Sequence, residues 1–531
     1  MERNKRSLQA ANFMKNYNNI SVTENGSVGY KTTTNQLVDL NFKVSSLRDR
    51  DEEYIVEEFI KAYNESPKYA VKWLFFLRDI LEGLGERRSF RICMKYLAVS
   101  HTETAKVLIK LIPEYGRYDD LLLFLDTPLE NYVCRYMKNQ LKKDTRALKE
   151  NREVSLLAKW LPSINTSSVE TRENAYRLAK AFGMSYRIYR KTLSSLRSYI
   201  NVTETYMSAN RWSDIDYSKV PAKANMRYDT AFGKHDKERR ITFLLNALDG
   251  GKLNANGLMP YEIARRITGS FGWYSSCSFK DNLLAEAMWK KITEQGFQNE
   301  WGLEDCIVVA DGSGSMYSHV TGNSNVTAID VCNSLAIYFA EQLKGVFHNK
   351  AITFSETPRF INLDRGKNLK EKLEIMFSYN EVANTNIEAV FNMLLDMAVS
   401  RQVPDEEMPK QVLVISDMEF DMATGDSLNR SLYNKSESAP RFTQTLFDMI
   451  EQKYNAAGYH MPRLIFWNVC GRTDTIPKVD SDEGICLLSG FSQNAMKVAA
   501  DREKKDPYES LIKVLDGVRY EPVEEALSRA S

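Results

Sequence analysis

The sequence predicts two folds in succession: an all-α helical-repeat ring or solenoid, then a doubly wound α/β domain on a parallel sheet. Three observations carry this. Up to about Phe297, apolar residues recur at three- and four-residue spacing, broken at short intervals by Gly and Pro. From about Gly302, short apolar runs alternate with longer amphipathic stretches, as in a sheet covered by helices on both faces. A chain of 531 residues also exceeds what one hydrophobic core organises. The boundaries follow: a basic arm over 1–19, a helical domain over 20–300, an α/β domain over 301–500, and a C-terminal helix and tail over 501–531.

In the first half, Lys68–Ala98 ("KYAVKWLFFLRDILEGLGERRSFRICMKYLA") predicts two helices around a tight turn at Gly83 and Gly85. Thr104–Leu125 repeats the design around Pro113 and Gly116, and Glu173–Ile200 continues it. Short-linked helices without a strict period suggest stacked helical hairpins. The polar, turn-rich "TENGSVGYKTTTNQLVDLNF" is expected to cap or close this array. In the second half, strands are expected at Cys306–Ala310, Lys350–Ser355, Gln411–Ser416, Arg463–Val469 and Gly484–Ser489, with helices between them.

Composition narrows the function classes. With 43% hydrophobic and 27% charged residues, the chain reads as an ordinary globular protein. No run of 18 apolar residues occurs, so no helical membrane span is expected, and the start lacks the pattern of a signal peptide. Seven cysteines without C-x-x-C spacing argue against a zinc site or a disulfide framework, which makes the cytoplasm the expected location. The formal charge of +1 conceals an asymmetry: Cys134–Arg240 holds 23 Lys+Arg against 11 Asp+Glu. A basic middle on an acidic remainder suggests a surface that faces a polyanion.

The most specific motif is Cys306–Met316, "CIVVADGSGSM". Asp311 follows an apolar strand, and Ser313 and Ser315 lie on the loop after it. Thr385 precedes a helix and Asp417 caps another apolar strand. Ligands of such sheets bind beyond the carboxyl ends of the strands. Two carboxylates and three hydroxyls facing one crevice are hard oxygen donors suited to Mg²⁺ or Mn²⁺. Other chemistries fit less well. Ser313 lacks the G-x-S-x-G frame of a hydrolase elbow, and His319 alone of the five histidines lies near the loop. No lysine follows the glycines as a phosphate loop needs, and an aspartyl phosphatase would want a second Asp where Ser313 stands. Glu419 and Asp421 leave an uncharacterised metal-dependent enzyme open, but no convincing general base stands beside the ion.

D-x-S-x-S with a later Thr and a later Asp resembles the metal-ion-dependent adhesion site (MIDAS) of von Willebrand factor A domains. The resemblance implies that Ser313, Ser315 and Thr385 approach the ion through hydroxyls, that Asp311 and Asp417 act directly or through water, and that one position is left for an acidic group of a protein partner. In the first half, "RDILEGLGERRSF" (Arg78–Phe90), "IPEYGRYDDLL" (Ile112–Leu122) and "AKWLPSINTSS" (Ala158–Ser168), with "SDMEFD" (Ser416–Asp421), resemble a family of unknown function. That family is similar to the Ro ribonucleoproteins, which join a HEAT-like helical ring, the TROVE module, to a von Willebrand A domain. The resemblance implies binding of single-stranded or structured noncoding RNA, without DNA specificity and without catalysis.

Charge and aromaticity nominate the contacts. "YRIYRKTLSSLR" places Arg187, Arg190 and Lys191 on one helical face, with Arg197, Tyr186 and Tyr189 nearby. Phosphate neutralisation and base stacking would use such a stripe, unless the tyrosines are core and the cations a solvated face. Lys159, beside Trp160, is a weaker candidate. Arg78 with Asp79, and Arg117 with Asp119 and Asp120, read as structural ion pairs. The expected function is a noncatalytic RNA-binding scaffold or RNA quality-control factor. The alternative is a protein–protein assembly module that captures an acidic partner at the cation and never meets nucleic acid.

Overall fold

The computed structural model describes residues 19–22, 28–200, 202–269, 279–296, 305–321, 324–380, 386–418, 444–471, 476, 485–500 and 506–529. A mostly helical first half and a parallel-dominated sheet in the second half match the expected fold class. The compact units, however, do not follow the boundaries at residues 300 and 500. One comprises residues 1–66 and 258–514; the other comprises 67–257 and 515–531.

The α/β unit is built on β3 (Cys306–Asp311), β4 (Lys350–Phe354), β5 (Phe360–Asn362), β6 (Gln411–Ser416), β7 (Arg463–Asn468) and β8 (Ile485–Ser489). They lie in the order β5-β4-β3-β6-β7-β8, and only β5 runs antiparallel to its neighbour. The chain leaves β3 outward on one side and returns to β6 on the other, so the order reverses between these two strands. Four strands are apolar and wholly buried. The helix Ala328–Ala340 is buried on every face, which a two-layer domain would not allow. It packs on β3, β4 and β6 and is roofed by the helices Pro260–Thr268 and Leu369–Ser378. The helix Leu283–Gly296 adjoins this roof: Trp289 donates its indole N–H to Glu341 at 2.9 Å. Gly296 allows close packing there, since a Cβ would lie 2.5 Å from the Tyr338 hydroxyl.

Residues 258–296, expected in the helical domain, are thus an outer layer of the α/β unit. The amino-terminal segment belongs here too, rather than capping the helical array. A hairpin of β1 (Ile20–Val22) and β2 (Val28–Tyr30) bridges from Tyr30 to Ile476. Beyond it, Ser45 donates its N–H to Ser489 Oγ and its hydroxyl to Asn468 Oδ1, both at 3.0 Å. Asn468 in turn donates to the Phe42 carbonyl. The segment after the hairpin therefore caps the carboxyl ends of β7 and β8.

The helical unit begins as expected, with Pro67–Arg78 and Arg88–Ser100 around the glycine turn. The next pair differs. Pro113 sits in the first turn of a short helix, Ile112–Tyr115, where a missing N–H costs nothing, and a 3₁₀ turn, Tyr118–Phe124, follows Gly116. Then come Glu130–Lys149, Leu157–Trp160, and the hairpin Val169–Phe182 and Tyr186–Tyr199, joined through Gly183 at φ +68°. Ile215, Tyr217, Val220 and Phe232 form a satellite core beneath Ala222–His235 and Lys237–Leu248. The helix Glu521–Ser528 completes the unit and adjoins Pro67–Arg78. Lys72, almost wholly buried, holds it: Nζ lies 2.7 Å from Asp516 and 2.8 Å from Glu524.

The six described cysteines are free and buried, and burial pushes the Cys306 thiol up to about 12 and the Cys486 thiol up to about 11. They are poor nucleophiles.

Hydrogen bonds from Lys68, then from Lys72, pull the Glu524 carboxyl from its ordinary 4.5 to about 2. A carboxyl depressed on folding contributes stability that is full above its unfolded value and lost as pH falls toward the folded one. Amide exchange across Glu521–Ser528 should therefore accelerate between pH 4.5 and about 2 after correction for intrinsic rates. Glu524→Gln should show the faster exchange already at pH 7.

Candidate functional site

Asp311 ends β3 at the point where strand order reverses, the place at which open α/β sheets bind ligands. Its carboxylate is buried. Oδ1 accepts the Ser313 N–H at 2.9 Å, and Oδ2 accepts the Ser416 hydroxyl at 2.6 Å. The Ser313 and Ser315 hydroxyls lie 3.0 Å apart. Asp417 follows β6 directly and is buried as well, and Met418 after it adopts φ +63°. Both carboxylates bear on the Cys332 thiol. Burial, then the charges of Asp311 and Asp417, drive the Cys332 thiol far above its ordinary value. Gly312 lets the loop close over the rim, since a Cβ would come within 3.0 Å of Asn380 Cα.

Four of the five expected ligand positions thus belong to loops at adjoining strand ends: Asp311, Ser313, Ser315 and Asp417. Thr385 lies outside the described residues, as do Glu419 and Asp421. Sequence reading missed Ser416, whose hydroxyl braces Asp311 while its other bond, from the Met418 N–H, shapes the Asp417 turn. Its signal was present: in "QVLVISD", a lone hydroxyl ends an apolar strand just before a carboxylate. The donor set is all oxygen and includes two buried carboxylates. Buried carboxylates beside hydroxyls are the donor chemistry that fits a hard divalent cation. Among the described residues no group of three or more His, Cys, Asp or Glu side chains has metal-ligating geometry, so hydroxyls and water would complete the shell.

The nominated RNA contacts divide. Arg187, Arg190 and Lys191 are exposed on Tyr186–Tyr199, and Tyr186 is exposed beside Tyr176 with ring centroids 4.6 Å apart. Tyr189 and Arg197 are structural instead. Tyr189 is fully buried and donates its hydroxyl to the Pro162 carbonyl. Arg197 donates to the carbonyls of Ala158 and Leu161 and to Ser163 Oγ at 2.7–2.8 Å. Both were misjudged because helical spacing alone does not say which face is core. Lys159 Nζ lies 5.6 Å from the Trp160 ring and is half-buried.

A stronger stripe adjoins this face. On Glu130–Lys149, Arg135, Lys138, Lys142, Arg146 and Lys149 recur at steps of three, four, four and three, so they share one side of the helix. Of these, only Arg146 has an ion-pair partner among the described residues, Glu150. The helix packs on both members of the hairpin, and Lys138 Nζ reaches the Gly183 turn. The exposed cations of Tyr186–Tyr199 begin one turn beyond. This spacing was readable in the sequence.

The sequence matches two families, each described as a domain of unknown function: DUF2828 over residues 23–122 and 167–301, and DUF7788 over residues 305–526. An uncharacterized protein, L728, of Acanthamoeba polyphaga mimivirus is 28% identical over 545 aligned positions, covering 95% of this chain and 89% of that protein. Among solved structures, the Deinococcus radiodurans RO (RSR) protein aligns at 14% identity with a TM-score of 0.40, covering 86% of this chain and 92% of that one.

The division of the basic face is testable by stability. Arg197→Ala should cost about 2 kcal/mol or more in chemical denaturation, because charged hydrogen bonds to buried carbonyls are lost. Arg187→Ala should stay within about 0.5 kcal/mol of wild type, as exposed positions do.

Proposed function

We propose that this chain is a noncatalytic RNA-binding scaffold. The helical unit carries the RNA, and the rim of the α/β unit holds a divalent cation. The observation that carries the reading is the cationic row Arg135, Lys138, Lys142, Arg146 and Lys149 on one helix, with Arg187, Arg190 and Lys191 exposed on a second helix that packs against it. The first five span 15 residues, about 21 Å of helix at 1.5 Å per residue. A row of that length, nearly free of compensating carboxylates, suits the repeated charge of a nucleic-acid backbone better than a small anion. Tyr186 and Ile188, both exposed at the start of Tyr186–Tyr199, add stacking and apolar contact of the kind unpaired bases use.

At the rim, Asp311, Ser313, Ser315 and Asp417 would hold Mg²⁺ or Mn²⁺. A cation held by two carboxylates and neutral oxygens keeps affinity for one more acidic oxygen, such as a carboxylate from a protein partner. The reading joins an RNA face to a partner-capturing site, as a scaffold requires. If the protein copurifies with a 260/280 nm absorbance ratio unchanged by ribonuclease, the assembly module without nucleic acid takes its place.

Two outcomes are expected. Fluorescence anisotropy with a single-stranded oligoribonucleotide should show affinity falling linearly with log salt. Lys138→Gln, Lys142→Gln and Lys149→Gln together should flatten that slope by about 2, at about 0.7 per lost phosphate contact. An unchanged slope removes this face from the binding site. In calorimetry, Asp311→Ala and Asp417→Ala should each abolish the Mg²⁺ titration while the far-ultraviolet circular dichroism stays that of wild type; an undiminished titration refutes the cation site.

A further inference from the structure

Three stretches of the helical unit that are distant in sequence meet around one carboxylate. Asp120 is wholly buried. Oδ2 accepts Arg78 Nε at 2.9 Å, Arg78 Nη2 at 2.7 Å and the Arg117 N–H at 3.1 Å. Oδ1 accepts Arg91 Nε at 2.7 Å and Arg87 Nε at 3.3 Å. Beside it, Asp119 takes Arg117 Nε and Nη2, both at 3.0 Å, and Arg87 Nη2. Arg117 lies over the Trp160 ring at 4.1 Å. The stretches Arg78–Phe90, Ile112–Leu122 and Ala158–Ser168 therefore form one locus.

Of the ion pairs expected from sequence, Arg117 with Asp119 is present, whereas Arg78 pairs with Asp120 rather than with Asp79, and the charge of the cluster does not balance. Four guanidiniums surround two carboxylates. A buried pair needs one cation per carboxylate, and Arg78, the only buried arginine of the four, already makes a two-pronged bond to Asp120. The side chains of Arg87, Arg91 and Arg117 remain 41, 31 and 29% exposed. Among the described residues, no carboxylate or carbonyl engages Nη1 of any of the four. Burial, with the like charge of Arg87 contributing against the raising effect of Asp119, holds the Arg117 guanidinium below its ordinary value. Fixed forks with unused donors and a surplus of two charges make a receptor for a compact dianion.

We infer that Arg87, Arg91 and Arg117 form a phosphate-monoester site and, resting on the RNA reading above, that this site takes the terminal phosphate of an RNA strand. A monoester carries close to two negative charges at neutral pH and matches the surplus, whereas internal diesters carry one each and suit the extended stripe. Trp160 contributes by fixing the plane of the Arg117 fork.

The test uses the full chain. Inorganic phosphate is titrated calorimetrically into wild type, into Arg87→Gln/Arg91→Gln, which restores two arginines to two aspartates, and into Arg87→Lys/Arg91→Lys, which keeps charge but loses the forks. Phosphate should bind wild type, about tenfold or more weakly to the lysine variant, and undetectably to the glutamine variant. No phosphate binding by wild type, or undiminished binding by the folded glutamine variant, overturns the site. Should that variant unfold, the lysine variant and the wild-type titration decide. Anisotropy then compares oligoribonucleotides bearing a 5′-phosphate, a 3′-phosphate or neither. A preference for one phosphorylated end that vanishes in the glutamine variant supports the RNA assignment. Phosphate binding with equal affinity for all three strands overturns that assignment alone, and phosphate binding with no RNA binding at all overturns the RNA reading and leaves a receptor for a small phosphomonoester.

Discussion

The helical unit depends on the neutralisation of buried carboxylates. Asp79 and Asp120 are both shut off from water, where an unpaired carboxylate would cost several kcal/mol. Arg78 turns toward Asp120 and Asp79 toward Arg519, so one dipeptide at the end of Pro67–Arg78 ties that helix to two distant parts of the chain. Tyr520 reaches Asp79 at 3.4 Å, and Tyr115 donates to the Arg519 carbonyl at 2.6 Å. Gly116 admits the backbone to this cluster because a Cβ would lie 2.7 Å from Asp120 Oδ2 and 2.9 Å from Arg78 Nε. Burial alone would raise the Asp120 carboxyl; Arg78 and Arg91 outweigh it and keep the group ionised and below its ordinary value. The carboxyl-terminal residues belong to the helical unit for the same reason: they bring the arginine that Asp79 lacks.

How much of this was legible in the sequence depends on which forces are local. The five long strands declared themselves, because a strand buried on both faces must be apolar throughout. β5 did not, since three residues at an antiparallel edge leave no pattern. Helices were readable as helices, but their allegiance was not. Pro260–Thr268 and Leu283–Gly296 show the same periodicity as the helices before them, yet they belong to the layer around the fully buried Ala328–Ala340. That helix held the clue, because a segment in which only Asp330, Asn333 and Ser334 interrupt the apolar surface demands a second helical layer. Asp311, Ser313 and Ser315 were legible because a D-x-S-x-S loop after an apolar strand has few other uses. Tyr189 was misread because a tyrosine packs as readily as it stacks, and only its bond to the Pro162 carbonyl decides.

The carboxyl rim of the sheet shows how the amino-terminal segment earned its place in the α/β unit. β7 and β8 end in Asn468 and Ser489, whose polar groups require partners once covered. Ser45 supplies a donor and a hydroxyl, and Asn468 also accepts the N–H groups of Cys470 and Gly471. That end of the rim is satisfied internally. Across β3 and β6 the chain places carboxylates and hydroxyls instead of amides, and binds one aspartate with a serine from the neighbouring strand. The same sheet edge is thus closed by hydrogen bonds on one side and furnished with charge on the other.

The two basic features of the helical unit differ in kind. The stripe on Glu130–Lys149 consists of flexible side chains a turn apart, three of them strongly hydrated lysines, whose attraction for a polyanion acts over distance and is weakened by salt. The arginines around Asp120 are held rigid by their own carboxylates, so the entropy of ordering them is settled on folding rather than on binding. Lysine rows recruit; preorganised guanidinium forks discriminate. A chain that possessed only the stripe would bind any polyanion alike, and one that possessed only the cluster would meet its ligand by chance. Because Leu157–Trp160 packs against both Tyr186–Tyr199 and the 3₁₀ turn that carries Asp120, the two features share a structural neighbour, as the proposed binding of a strand and of its terminal phosphate by one unit would require.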